Sequence, residues 1–187
     1  MKSKFWNAVV HDSARLYDST FLALSIVCSS VLYIRGLGLY DDDWSYLTTY
    51  TYCSDKSYLG LINCFYRDNG DASVRPFQNL YVSGLYRLFG PHPYAHQAIN
   101  SALLACAVVL LYQTLSELGL SRVPALAIAL LYGLLPHYST DRFWLASAAV
   151  SHQSMAFCFL SFYSTARISR SSSKRRWAWV VTSILAM

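Results

Sequence analysis

The sequence predicts an all-α fold: a multi-pass transmembrane helical bundle with interfacial helices in a large first outer loop. Three observations lead there. The 187 residues are 55% hydrophobic and 16% aromatic but only 13% charged, about half the charged fraction of an ordinary soluble domain. Four stretches, Ser19 to Ile34, Leu88 to Ser116, Val123 to Thr140 and Phe143 to Ala166, contain no Asp, Glu, Lys or Arg. The basic residues gather at two places, Lys2, Lys4 and Arg15 before the first stretch and Arg167, Arg170, Lys174, Arg175 and Arg176 after the fourth. With an even number of spans between them, both clusters fall on one side, which the positive-inside rule makes the cytoplasm. The same placement accounts for the formal charge of +5 and speaks against nucleic acid as a partner.

Taken in order, residues 1–18 place Phe5, Trp6, Val9, Val10, Leu16 and Tyr17 at helical spacing near lysines, the pattern of a cytoplasmic amphipathic helix on a membrane surface. Residues 19–39 form the first span, long enough if Arg35 snorkels and Gly36 to Leu39 complete it. No small-x-small cleavage site follows, so a removed signal peptide fits poorly. Residues 40–93 form the extracytoplasmic loop. It carries one helical stripe of Tyr58, Ile62 and Phe65, and another of Phe77, Leu80, Tyr81, Leu85 and Leu88 with Gln78, Asn79, Ser83 and Arg87 largely opposite. Pro76 suits the first turn of the second helix and Gly90-Pro91 ends it. Both helices are too short to span and are expected in the interface.

Residues 94–168 supply three further spans, about Tyr94 to Leu118 with Gly119 as C-cap, Arg122 to Pro136, and Phe143 to Ala166. Residues 169–187 form a basic cytoplasmic loop and the start of a fifth run, which opens at Trp177 and reaches Met187 after about half the length of a span. The chain is therefore expected to be the N-terminal part of a longer protein. Cys28, Cys106 and Cys158 lie in apolar runs and read as small core residues. Cys53 and Cys64 share the outer loop, where a disulfide and two unrelated semi-buried thiols are both open readings.

The candidate chemistry begins at Tyr40-Asp41-Asp42-Asp43-Trp44, directly after the first span. Three carboxylates at the outlet of a span belong in water or a polar cavity. Neither a strand nor a helix lets all three converge on one atom, so one or two could act as general base or metal ligand while another is structural. On residue types alone, capping the helix through Trp44, Leu47 and Tyr50 is the better fit. His96 and Asn100 stand one turn apart near the outer end of the second span, able to touch a headgroup or an acceptor or simply to pair there. His137, Asp141 and Arg142 lie in the second outer loop. His152 and Gln153 fall inside the fourth span, as functional polar residues or as inter-helix hydrogen bonds. No metal-ligand spacing, phosphate-binding glycine loop or Gly-x-Ser-x-Gly is present.

This arrangement resembles the start of the GT-C superfamily of polytopic glycosyltransferases. Asp42-Asp43-Trp44 is similar to the acidic motif of that family's first outer loop, and Arg75-Pro76-Phe77 to the Arg-Pro that opens its second interfacial helix. The His96 and Asn100 pair in Tyr94-Ala95-His96-Gln97-Ala98-Ile99-Asn100 is similar to the His-x-x-x-Asn heading the next span. Gly119-Leu120-Ser121-Arg122 and Leu135-Pro136-His137 resemble the turns bounding the third. The resemblance covers nearly all of this chain and about the first third of a family member. It implies an integral membrane enzyme with a cytoplasmic N-terminus and an outward-facing site. There a sugar passes with inversion from a polyprenyl-phosphate donor to a glycan, lipid or protein acceptor. Asp43 or Asp42 would be the general base, and Asp41, Arg75, His96, Asn100 and His137 candidate substrate-binding residues. A cation or a divalent metal ion would stabilise the leaving phosphate. The alternative is a non-catalytic accessory or assembly subunit, or an inactive fragment. A small transporter fits less well, because the spans lack paired charges.

Overall fold

The computed structural model describes residues 2–34, 38–39, 42–70, 74–135, 144–170 and 173–186. Among the described residues it is all-helical: α1 (Lys2–Ile34), α2 (Asp42–Tyr52), α3 (Tyr58–Asp68), α4 (Pro76–Phe89), α5 (Pro93–Glu117), α6 (Arg122–Leu134), α7 (Leu145–Arg170) and α8 (Ser173–Leu185). The chain divides into two compact units. The first comprises Met1–Ser30, Ala102–Leu135 and Ser154–Met187; the second comprises Val31–Ser101 and Pro136–Gln153.

Helix α1 corrects the expected break at residue 18. The surface segment and the following apolar run are one helix of 33 residues. No glycine or proline interrupts it, and Ser19, Thr20, Ser25 and Ser30 turn their hydroxyls back to carbonyls one turn earlier, at 2.8–3.0 Å. Helix α5 begins and ends within one residue of the expected second span. It is the one helix among the described residues long and apolar enough to cross a membrane; its 25 residues reach about 37 Å. Helix α6 is apolar, but its 13 residues extend only about 20 Å, short of a hydrocarbon core. Leu135 already has extended backbone at its C-cap, ahead of Pro136, as the residue before a proline prefers.

In the first unit Leu22 and Ile26 of α1, Leu104, Ala105, Val108 and Tyr112 of α5, and Ala125 and Ala129 of α6 form one core. Ala125, Ala129 and Gly133 repeat every four residues along the buried side of α6, and small residues at that spacing let helix backbones approach closely. A methyl group at Gly133 would collide with Ile26 and come within 2.8 Å of Val108. Ala107, Ala156 and Phe159 tie α7 to α5, and Tyr132 meets the Phe159 ring edge-on at 5.6 Å. The turn after α5 is a Schellman motif. Leu120 N–H donates to Leu115 O at 3.1 Å and Gly119 N–H to Ser116 O at 3.2 Å, with Gly119 at φ +96°, a conformation that glycine adopts without strain.

In the second unit α2, α3 and α4 close around Tyr46, Leu47, Tyr50, Leu61, Phe65, Val82 and Leu85. The fully buried Tyr50 ring is sandwiched between Phe65 and Tyr86, each at 5.0 Å. Of the two open readings for the loop cysteines, the structure shows the disulfide. Cys53 and Cys64 are joined across 11 positions of sequence, linking the end of α2 to α3. Ser57 caps α3, its hydroxyl accepting from Gly60 N–H at 3.1 Å.

The facing of the two loop helices is now visible, and the reading of three cysteines as core residues is corrected. Helix α3 buries Leu61 and Phe65, while Tyr58 lies at the surface and donates its hydroxyl to Leu80 O at 3.0 Å. Helix α4 buries Gln78, Asn79, Val82, Ser83 and Leu85 and leaves Phe77, Leu80 and Leu88 exposed. Its polar face is therefore the inner one. Cys28 and Cys106 are exposed and Cys158 is half-buried, so none is an enclosed core residue.

Candidate functional site

The second unit gathers most of the described candidates. Helix α2 starts at Asp42, and Asp43, one residue in, is fully buried. A carboxylate in the first turn of a helix is favoured by the partial positive charge there. His96, on the first turns of α5, is also fully buried, and Asp43 is near enough to act on it electrostatically. His96 Nε2 lies 2.7 Å from Gly90 O. A carbonyl oxygen only accepts, so Nε2 carries the proton, and Nδ1 of the neutral ring keeps its lone pair. That Nδ1 is buried and has no hydrogen-bond partner among the described residues. Gly90 supplies its carbonyl from a backbone at φ +59°, just past the end of α4.

The same unit holds further polar side chains, buried or half-buried. Tyr81 donates its hydroxyl to Asn100 Oδ1 at 2.7 Å. Gln97 donates to Gly38 O at 3.2 Å. A second chain of bonds has only one consistent direction. Asn79 Nδ2 donates to Ile62 O at 3.1 Å, leaving Asn79 Oδ1 to accept from Ser83 Oγ at 2.9 Å. Ser83 has then spent its proton, and accepts from Tyr50 Oη at 3.0 Å. Burial pushes the pKa of both the Tyr50 and Tyr81 phenols upward, which keeps them protonated and able to donate.

The remaining candidates are less gathered. Arg75 immediately precedes α4, is exposed, and makes no side-chain capping bond. The backbone of Asp42 belongs to α2. Asp41, His137, Asp141 and Arg142 lie outside the described residues. His152 is buried in α7. Among the described residues, no group of three or more His, Cys, Asp or Glu side chains is placed to hold a metal ion. The structure thus brings Asp43 near His96, with Asn100, Ser83 and Gln97 buried and Tyr81 half-buried in the same unit.

A second polar cluster, in the first unit, was not among the candidates. Glu117 at the end of α5, with a side chain only 2% exposed, receives Arg15 at 2.5 Å, Arg167 at 3.3 Å and Arg170 at 3.2 Å. One turn further along α1 from Arg15, Asp18 accepts Arg122 through both oxygens at 2.8 and 2.7 Å, and Tyr112 Oη at 2.6 Å. The Arg122 guanidinium, and to a lesser degree the Tyr112 hydroxyl, hold the Asp18 carboxyl below its ordinary range against the opposing effect of burial. Partners 104 residues apart leave no local pattern. The available signal is compositional: Glu117 is the chain's sole glutamate, at the edge of a charge-free run.

No protein-family model, curated protein or solved structure matches the chain. The chemistry of the site therefore rests on its own residues.

Proposed function

We propose that this chain is part of a multi-pass membrane glycosyltransferase that moves a sugar from a polyprenyl-phosphate donor to an acceptor on the extracytoplasmic face, with Asp43 as general base. The observation that carries the reading is the burial of Asp43 with His96 and Asn100 in a unit whose α4 buries Gln78 and Asn79 beside Val82 and Leu85 while leaving Phe77, Leu80 and Leu88 exposed. Exposed apolar residues of this kind are costly in water and suit the boundary of a bilayer. More of them lie on other helices. Tyr17, Phe21 and Leu24 on α1, Val123 and Leu131 on α6, and Trp177, Val181 and Ile184 on α8 are all exposed. With α5 they form the apolar exterior of a chain that crosses the membrane more than once, its N-terminus in the cytoplasm.

In the reaction the acceptor hydroxyl gives its proton to the Asp43 carboxylate as its oxygen bonds to the anomeric carbon. The bond from that carbon to the donor phosphate breaks on the opposite face, so the configuration inverts. His96, whose Nε2 proton is committed to Gly90 O, offers Nδ1 as an acceptor for a second substrate hydroxyl. Arg75 is the cation on hand for the departing lipid phosphate.

Asp43→Asn, assayed in the complete protein in its own membrane, is expected to lower sugar transfer by a factor of about 10² to 10⁴ while the protein accumulates normally. Undiminished transfer in both Asp43→Asn and Asp42→Asn overturns the base assignment. A non-catalytic accessory subunit is the second reading, favoured by the exposed aromatics Trp44, Tyr52 and Tyr66 of the second unit. In that case transfer survives Asp43→Asn, and Trp44→Ala with Tyr52→Ala releases the partner.

A further inference from the structure

We propose that Arg15, Arg167 and Arg170, gathered around Glu117, form a binding site for a phosphate anion, filled by the headgroup phosphate of an anionic membrane lipid. Three guanidinium groups converge on a single carboxylate, so the cluster carries a surplus of two positive charges. Like charges held this close repel unless a further anion neutralises them. The donors for that anion are in place. Each arginine commits one terminal nitrogen to Glu117, and among the described residues no other hydrogen bond takes the second or its Nε; this planar fork matches phosphate oxygens.

Access is graded. The Arg15 side chain is 20% exposed, Arg167 37% and Arg170 57%, so Arg167 and Arg170 open to the surface while Arg15 backs the site. Arg167 is also held in place, its guanidinium carbon 6.0 Å from the Tyr163 ring centre and 5.7 Å from that of Trp179. Those two rings meet edge-on at 5.6 Å. A preorganised guanidinium loses little freedom on binding.

What favours a lipid as the source is the surrounding surface. Leu16 and Tyr17 follow Arg15, Leu118 follows Glu117, and all three are exposed. Cations bordered by exposed apolar and aromatic residues match the headgroup level of a bilayer. The lipid assignment rests on the membrane reading above; the surplus of charge does not.

The test is native mass spectrometry of the full chain, reconstituted with equal phosphatidylglycerol and phosphatidylcholine, with alkaline carbonate extraction of cell membranes run alongside. Wild-type protein is expected to retain phosphatidylglycerol preferentially, and Arg170→Gln and Arg167→Gln to lower that retention roughly tenfold each. Glu117→Gln, which removes the competing carboxylate, is expected to raise it, an effect that loss of folding cannot imitate. Equal retention of the two lipids by wild type overturns the proposal, as does unchanged retention in both arginine variants. Inorganic phosphate that displaces the lipid and stabilises the protein equally well overturns the lipid assignment in favour of a free phosphate. Phosphate binding by a chain that carbonate strips from membranes would sink the membrane reading and leave the anion site standing.

Discussion

The two units are held together by different means. The second closes three short helices with one disulfide and a stack of rings, Phe65, Tyr50 and Tyr86. The first packs long helices through small residues, Ala125, Ala129 and Gly133, and ties them with arginine–carboxylate contacts between residues 50 to 104 positions apart. Short helices are marginal on their own and need a covalent or packing constraint to persist. Long helices already satisfy their own backbones, and what remains to be fixed is which neighbour each one touches. Small residues set that distance, and buried ion pairs set the register.

The comparison can be broken. Tyr50→Ala empties a fully enclosed ring site and is expected to cost about 4 kcal/mol. Hydrogen exchange should accelerate across α2 to α4 and stay slow over residues 104–112 of α5. Equal acceleration in both places would mean that the two units unfold as one. Reduction of the Cys53–Cys64 bridge, or Cys53→Ser with Cys64→Ser, is expected to remove about 3 kcal/mol. Protease sensitivity should then rise between residues 53 and 64 but not within the first unit. The smallest effect concerns the Asp18–Arg122 pair. The folded Asp18 carboxyl ionises below its ordinary value of 3.8, so its stabilisation is complete above that value and fades as pH falls through the lower folded one. Arg122→Gln is expected to raise the midpoint of acid unfolding of the first unit and to leave the second unchanged. Circular dichroism against pH checks both halves of that statement.

Much of the helical layout was legible, because it depends on local chemistry. Pro76, Gly90 and Gly119 start or stop helices where they stand in the sequence, and the apolar run behind α5 has one reading. Facing was not legible for α3 and α4. A stripe of Phe77, Leu80 and Leu88 says that a helix has an apolar side; which side is inner depends on whether the surroundings are water or hydrocarbon, and α4 turned the amide side in. The continuity of α1 was missed because a change from amphipathic to apolar pattern is not itself a helix stop. Of the candidate site, the Asp43, His96 and Asn100 neighbourhood was marked by polar residues in an apolar context. Tyr81 and Ser83 were not marked, since hydroxyls count as polar or neutral until a partner is known. The arginine cluster around Glu117 depends on contacts between distant segments, which no window along the chain contains.

The Cys53–Cys64 pair also offers a readout of where its segment lies. A reducing cytosol keeps such pairs open, whereas an oxidising exterior closes them. The chain has five cysteines, and Cys28, Cys106 and Cys158 are free thiols. Alkylating freshly lysed, denatured cells should therefore add three groups before reduction and five after it when residues 53–64 face outward. Five on both occasions would place them inside. The molecule carries its own untagged marker of sidedness, readable from a single mass difference.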